Sequence, residues 1–190
     1  MNPIILHIET ATDICSVALS KGEEIIGLKE EAGGNSHARR LLPFIDEALR
    51  QGGCTVRDLD GVAVSVGPGS YTGLRIGVST AKGIAYTAGI PVMAVGTLES
   101  IAQGARQSWE KDSSGQPQIV PMLDARRMEV FTTRYDFGMN ALEEVSAKVV
   151  EENTFSELLA SQTVLFCGNG MPKCRELLSG SPNARFVSVP

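Results

Sequence analysis

Apolar residues in this chain form short β-branched runs separated by polar turns, and between the runs lie segments with apolar positions three and four residues apart. Runs at residues 4–8, 15–19 and 25–28 predict three sequential strands, the first two joined as an antiparallel hairpin. A helix is predicted from His37 to about Arg50, with Ser36 as its N-cap. Its buried stripe has helical spacing and consists of Ala38, Leu41, Leu42, Ile45 and Leu49.

The strongest local signal lies at residues 62–77. An apolar run ends at Gly67-Pro68-Gly69, and a long, nearly uncharged segment opens at Ser70. This order predicts a buried parallel strand, a tight turn, and a helix capped by the Ser70 hydroxyl that runs to about Ala88. Gly67, Gly69 and Ser70 could cradle an anion at the helix N-terminus. Because the lysine of a P-loop is missing, a tight turn with close strand–helix packing is the alternative.

The helix after this turn carries small residues at a spacing of four and little charge. Arg75 and Lys82 lie on the face that also bears Ser79 and Tyr86. Such a small-residue ridge allows another helix to approach closely, so we expect a cover from outside the first sheet. The ridge consists of Gly73, Gly77, Ala81 and Ala85.

The second half of the chain repeats the order of the first. Residues 92–95 predict a strand, a helix follows from Thr97 to about Gln107, and residues 111–117 resemble a linker. Strands are then predicted at 119–123, 128–135, 143–150, 164–167 and 186–189. A capping box at Thr154 predicts a short helix before strand 164–167, and a second helix is predicted after that strand, ending near Leu178. We therefore predict an α/β protein of two similar domains, residues 1–110 and 111–190, the second without a counterpart of the last helix.

Composition narrows the function classes. The 190 residues carry a formal net charge of −5 and no basic run, which argues against independent binding of nucleic acid, although a basic partner could carry RNA. No stretch approaches the roughly 20 apolar residues of a membrane span, and the N-terminal apolar run is too short for a signal peptide. We expect a cytoplasmic protein in which Cys15 and Cys167 pack as small apolar residues.

Residues with catalytic or ligating potential are sparse. His7 and His37 are the only histidines, and no second histidine lies one turn after His37, so no metal site is predicted. Asp124, Arg126 and Arg127 share one turn, where they either pair locally or contact a partner.

The duplicated pattern resembles the actin-like, sugar-kinase and Hsp70 ATPase superfamily, whose nucleotide-binding members carry an aspartate and a glycine in the first hairpin turn. A glycine at that position lets the backbone approach a phosphate. In this chain Glu9 replaces the aspartate and Ala11 replaces the glycine. We therefore predict an ordinary hairpin turn and no nucleotide cofactor.

The run from Gly67 to Val78 resembles the signature of the TsaB (YeaZ) family, with supporting matches at 9–19, 37–45, 91–98 and 124–127. This resemblance implies a role in making the threonylcarbamoyl-adenosine beside the tRNA anticodon. It implies a catalytically inactive subunit, because in this system TsaD performs the transfer to the adenosine N6 and carries the two-His metal motif. The implied partners are a TsaD-like catalytic subunit and a TsaE-like ATPase, with tRNA reached only through the complex.

The family resemblance places the TsaD contact on the first two helices, and Ala38-Arg39 departs from the Ser-Glu common there. The same surface could pair two copies as a homodimer when TsaD is absent. A rival from another class is a stand-alone enzyme, either an ATP-dependent kinase or a metalloprotease-like protein. The residues that we expect at the partner interface are His37, Leu41, Leu42, Ile45, Gly73, Leu74, Gly77, Val78 and Ala81.

Overall fold

The computed structural model describes residues 2–33, 37–109 and 115–188. The chain divides into two compact units between Thr97 and Leu98. The Ser36 cap and residues 111–114 of the expected linker lie outside the described residues. No helix within the described ranges is long and apolar enough to cross a membrane.

The first unit is a mixed sheet with its helices inserted at the crossovers. Its five strands lie in the order β3-β2-β1-β4-β5. The β1–β2 and β2–β3 pairs are antiparallel, whereas β1–β4 and β4–β5 are parallel. The elements are β1 (Ile4–Glu9), β2 (Ile14–Lys21), β3 (Glu24–Ala32), α1 (His37–Gln51), a 3-10 turn (Val56–Asp58), β4 (Gly61–Ser65), α2 (Tyr71–Ala88) and β5 (Val92–Val95).

One face of this sheet packs with α1 and α2. Alternate residues of β1, Leu6 and Ile8, lie in the same buried cluster as Leu41 of α1 and Ala81 of α2. Side chains of a strand point alternately to the two faces, so the remaining β1 residues lie on the other face. All five residues of β4 are buried, as expected for a central parallel strand.

The second unit has the same topology. Its sheet has the order β10-β9-β6-β7-β8, with antiparallel β6–β7 and β7–β8 pairs and parallel β6–β9 and β9–β10 pairs. The predicted duplicated α/β fold is confirmed. The elements are α3 (Thr97–Gln107), β6 (Gln118–Asp124), β7 (Glu129–Thr132), β8 (Ser146–Val149), α4 (Ser156–Ser161), β9 (Val164–Cys167), α5 (Met171–Leu178) and β10 (Ala184–Val187).

Helix α3 explains why the division falls at Thr97 and not at residue 110 as the sequence suggested. Ala102 and Ala105 of α3 share a buried cluster with Ile119 of β6 and Leu165 of β9. The alternate residues of β6 and β9, with α4 and α5, form a separate cluster. The helix that follows the last strand of the first sheet therefore completes the core of the second.

Several local predictions differ from the structure. Ala38 and Leu42, predicted in the buried stripe of α1, are exposed. The strand predicted at 143–150 is limited to Ser146–Val149, and the strand predicted at 186–189 is formed by Ala184–Val187, with residue 189 outside the described residues. The strand expected at 128–135 ends at Thr132, and Tyr135 makes only isolated bridges with Ile119 and Ala141. The expected Thr154 cap is not formed, because α4 begins after Phe155 and the Thr154 hydroxyl accepts instead from the Glu151 N–H at 2.8 Å.

Candidate functional site

Strand β4 leads into the glycine-rich turn at the carboxyl edge of the first sheet. The Val66 N–H donates to the Val95 carbonyl at 3.0 Å, and the Thr97 N–H donates to the Gly67 carbonyl at 2.9 Å. The Gly67–Pro68 peptide bond is cis. These bonds tie the turn to the end of β5 as well as to β4.

The turn packs directly on the β1–β2 hairpin. A Cβ at Gly69 would lie 2.8 Å from the Ala11 Cβ and still closer to its carbonyl oxygen, so no side chain fits there. The Ser70 N–H donates to that Ala11 carbonyl at 2.7 Å, and the Ser70 hydroxyl accepts from the Gly73 N–H at 3.2 Å. Ser70 is thus the N-cap of α2, as predicted, and Gly67, Gly69 and Ser70 have the geometry of the tight-turn alternative.

The Glu9 carboxylate makes hydrogen bonds to its own turn and to the end of β4. Its Oε1 accepts from the Ala11 N–H at 2.5 Å, and its Oε2 accepts from the Ser65 hydroxyl. Ala11 itself is buried. The Glu9 carboxylate and the Ala11 N–H are therefore both engaged in hydrogen bonds within the first unit.

The small-residue ridge of α2 faces inward, onto the end of β1. A Cβ at Gly73 would overlap the Thr10 carbonyl oxygen, and a Cβ at Gly77 would overlap the Thr10 hydroxyl. That hydroxyl donates to the Gly73 carbonyl at 2.8 Å in a fully buried bond. Ala81 is also buried. Since the ridge touches the protein's own hairpin, Gly73, Gly77 and Ala81 are removed from any surface that a partner could cover.

Helix α1 places most of its expected interface residues in the core as well. Leu41 and Ile45 are buried, whereas Leu42 is 63% exposed. His37 is also buried, and its Nε2 has no hydrogen-bond partner among the described residues. Of the nine expected interface residues, Leu42 is exposed and Leu74 and Val78 are half-buried.

The outward face of α2 carries a different set of side chains. Tyr71 is 76% and Tyr86 92% exposed. The Arg75 guanidinium lies 5.5 Å from the centre of the Tyr71 ring. With helical spacing, one stripe is formed by Tyr71, Arg75, Ser79, Lys82 and Tyr86. We call this stripe the α2 outer face. The charged positions of this face are visible in the sequence, but none of its five residues is among the expected interface residues.

The turn between β6 and β7 of the second unit corresponds to the β1–β2 hairpin turn of the first, and a lysine side chain bonds to it. The Lys173 ammonium pairs with the Asp124 carboxylate and donates to the Glu129 carbonyl at 2.7 Å. This contact holds the pKa of Asp124 below its usual range. Local pairing was one of the two alternatives for Arg126 and Arg127. Among the described residues neither arginine side chain forms an ion pair with Asp124. Arg126 donates to the Asp124 carboxylate through the backbone N–H, at 2.9 Å.

Burial shifts the pKa of two further titratable groups. Burial lowers the pKa of His7, whose Nε2 lies 2.9 Å from the Ser20 hydroxyl. Burial raises the pKa of the Cys167 thiol to about 12. Within the described ranges, no three His, Cys, Asp or Glu side chains lie close enough together to hold a metal ion.

Comparison with known proteins places this geometry in a family. The model for "TsaD: tRNA N6-adenosine threonylcarbamoyltransferase" matches residues 17–182. The Escherichia coli "tRNA threonylcarbamoyladenosine biosynthesis protein TsaB" is 37% identical over 138 residues, which are 73% of this chain and 57% of that protein. The protein of the same name from Bacillus subtilis is 34% identical over 141 residues, 74% of this chain and 58% of that protein. The chain belongs to the TsaB (YeaZ) family.

Solved structures agree with membership of the TsaB (YeaZ) family. YeaZ from Pseudomonas aeruginosa is 26% identical and gives a TM-score of 0.78, with 98% of this chain and 84% of that chain covered. A more distant match is component A of (R)-2-hydroxyglutaryl-CoA dehydratase from Acidaminococcus fermentans, which is 12% identical and gives a TM-score of 0.52. That match covers 100% of this chain and 92% of the dehydratase component, and at this identity it shows only a shared fold. The TsaB matches themselves span less than two thirds of the E. coli and B. subtilis proteins.

Proposed function

We propose that this protein acts in tRNA threonylcarbamoyladenosine biosynthesis as a non-catalytic subunit that binds a TsaD-like catalytic subunit. The observation that carries the proposal is the 37% identity with the E. coli protein, whose name states the pathway. The family model that matches most of the chain is named for the transferase itself. A TsaE-like ATPase joins the same assembly, and tRNA reaches this chain only through the complex.

The hairpin turn of the first unit supports the non-catalytic role. Phosphate-binding turns present free backbone N–H groups and glycines that let the phosphate approach. Here Ala11 fills that position, its N–H donates to Glu9, and its carbonyl accepts from Ser70. A nucleotide phosphate would have to displace these bonds.

The α2 outer face is the surface that we assign to the TsaD-like subunit. Tyrosine and arginine are the side chains enriched at the energetic centres of interfaces, and both are presented here on a rigid helix. The stripe contains no acidic side chain, so we expect a partner surface with pockets for Tyr71 and Tyr86 and carboxylates near Arg75 and Lys82. Helix α1 packs beside α2 and adds the exposed Leu42.

Substitution on this face tests the proposal. Tyr86→Ala should weaken binding to a purified TsaD-like subunit about 30-fold, the loss expected for an interface hot spot, when measured by calorimetry. Because Tyr86 is 92% exposed, the substitution should leave the melting temperature unchanged. Ile25→Ala, at a 55% exposed position on β3, is the matched control and should bind like wild type.

Reconstitution tests the function itself. Modification of tRNA by the TsaD-like and TsaE-like subunits should need this chain, and Tyr86→Ala should reduce it in proportion to the lost binding. Equal modification without the chain would refute the proposal. Sedimentation of the isolated chain shows whether the same face pairs two copies, and micromolar binding of ATP and magnesium in calorimetry would instead favour a kinase.

A further inference from the structure

The turn between β6 and β7 holds two consecutive arginines in the left-handed backbone region. The φ angles are 75° at Arg126 and 47° at Arg127, and among the described residues only one other non-glycine residue, Met139, has positive φ. Long L-side chains rarely adopt this conformation, which glycine and asparagine adopt most easily. The turn therefore carries arginine where glycine would be less strained.

Surrounding hydrogen bonds fix this conformation. The Asp124 carboxylate accepts from the Arg126 N–H at 2.9 Å, and the Glu129 N–H donates to the Arg126 carbonyl at 3.1 Å. The Ala125 N–H donates to the Glu129 carbonyl at 3.1 Å, and Lys173 joins Asp124 to that same carbonyl. A strained backbone held from several sides is typical of binding and catalytic positions.

An apolar groove opens beside the two arginines. It has a volume of about 530 Å³ and is lined by Ala125, Arg126, Arg127, Met128, Glu129 and Val149. Val149 is 57% exposed, and Val145, just before β8, is 51% exposed. Strand β8, which contains Val149, is at the edge of its sheet. An exposed apolar edge strand invites an added strand unless something covers it.

The charge beside the groove indicates what would cover it. Within the described ranges, neither Arg126 nor Arg127 makes a side-chain ion pair, and Asp124 is already paired with Lys173. The protein as a whole carries a net charge of −5, so this turn is a local exception. The two guanidiniums outnumber the one carboxylate in the groove lining, that of Glu129, and so complement carboxylates next to apolar side chains.

We propose that the Arg126–Arg127 turn and the edge of β8 bind an extended segment of a partner protein that carries acidic side chains next to apolar ones. The apolar side chains lie in the groove against Val149 and Met128, and the carboxylates pair with the two guanidiniums. RNA fits less well, because phosphate binding depends on clustered cations and not on an apolar groove. This site goes beyond the proposed function and is on the second unit, whereas the α2 outer face belongs to the first.

Peptide selection on the full chain tests the proposal. Random 12-residue peptides displayed on phage are selected on the wild type, with the double variant Arg126→Gly/Arg127→Gly used for counter-selection. The selected peptides should combine Asp or Glu with Leu, Ile, Val or Phe, and the double variant should bind them about tenfold or more weakly. Glycine relieves the positive φ, so the variant's melting temperature should equal or exceed that of wild type.

Matched variants separate the charges from the backbone. Arg57→Ala removes an exposed arginine from the first unit, and Met139→Gly relieves positive φ elsewhere, so both should bind the selected peptides like wild type. Tyr86→Ala should also bind them normally, which distinguishes this site from the α2 outer face. Val149→Asp, which puts a carboxylate into the groove, should abolish binding.

Three results would overturn the proposal. The first is selection of peptides without acidic residues, and the second is equal binding by the double glycine variant. The third is binding of a fluorescent tRNA by the wild type, steeply weakened by salt and lost in the double variant, which would assign the arginines to nucleic acid.

Discussion

Gly73→Ala tests whether α2 is seated on the β1–β2 hairpin as the structure shows. The added methyl group would overlap the carbonyl oxygen of Thr10, which is backbone and cannot rotate away. The helix would have to move outward at this point. That movement would stretch the buried bond from the Thr10 hydroxyl to the Gly73 carbonyl, now 2.8 Å long.

The cost follows from three contributions. Overpacking a tight contact costs about 1–3 kcal/mol. Leaving the buried Thr10 hydroxyl without its acceptor costs about 1–3 kcal/mol more. Alanine returns up to about 1 kcal/mol of helix propensity. We therefore expect a net loss of about 3 kcal/mol in the free energy of unfolding, which lowers the melting temperature of a chain of this size by roughly 6–12 °C.

The assay is urea unfolding followed by circular dichroism, with Gly83→Ala as the matched control. Gly83 lies in the same helix, and a Cβ there meets nothing within 4 Å. Gly83→Ala should therefore stabilise the protein by up to about 1 kcal/mol. If Gly73→Ala proved as stable as Gly83→Ala, the ridge would not be seated on Thr10 and could face a partner after all.

Two further predictions concern titratable groups. Lys173→Met should be less stable than wild type at pH 7. The ion pair should contribute up to about 1 kcal/mol of that difference, as is usual for an exposed pair. Because the pKa of Asp124 is depressed only in the folded state, this contribution should be lost as the pH falls from about 4 through the lower folded-state pKa. A stability difference that grows in acid would refute the assignment. Half-buried Cys54 should react with Ellman's reagent in the native protein, whereas Cys15, Cys167 and Cys174 should react only after unfolding, as counted by absorbance.

Elements bounded by glycine and proline were predicted closely from the sequence. Strands β5 and β9 have the predicted bounds, because Pro91 precedes the first and Gly168 follows the second. The Ser70 cap was also predicted, since the signal for it is local. Such boundaries depend on backbone chemistry within a few residues and so can be read from one sequence.

The orientation of the ridge could not be predicted in this way. A stripe of small residues shows that something approaches closely but not what approaches. The deciding contact is with Thr10, 63 residues before Gly73 in the chain. The same limit applies to Leu41 and Leu42, which were predicted to share one buried stripe. In the structure Leu41 is 1% exposed and Leu42 is 63% exposed.

Tertiary packing also overrode the local signal at Thr154. Phe155 is buried, with its ring 5.3 Å from that of Phe166. Packing that ring places the start of α4 one residue later than the capping box suggests. The left-handed arginines were equally hidden, since nothing in Ala125-Arg126-Arg127 signals positive φ as glycine or asparagine would.

The position of α3 determines how the two halves can be separated for expression. A cut in the polar segment near residue 111 looks natural, but it would strip Ala102 and Ala105 from Ile119 and Leu165 and leave that sheet face bare to water. A fragment that starts at Leu98 keeps its own covering helix. The gene is thus best divided at the start of α3, between Thr97 and Leu98, and not in the polar segment that looks most like a linker.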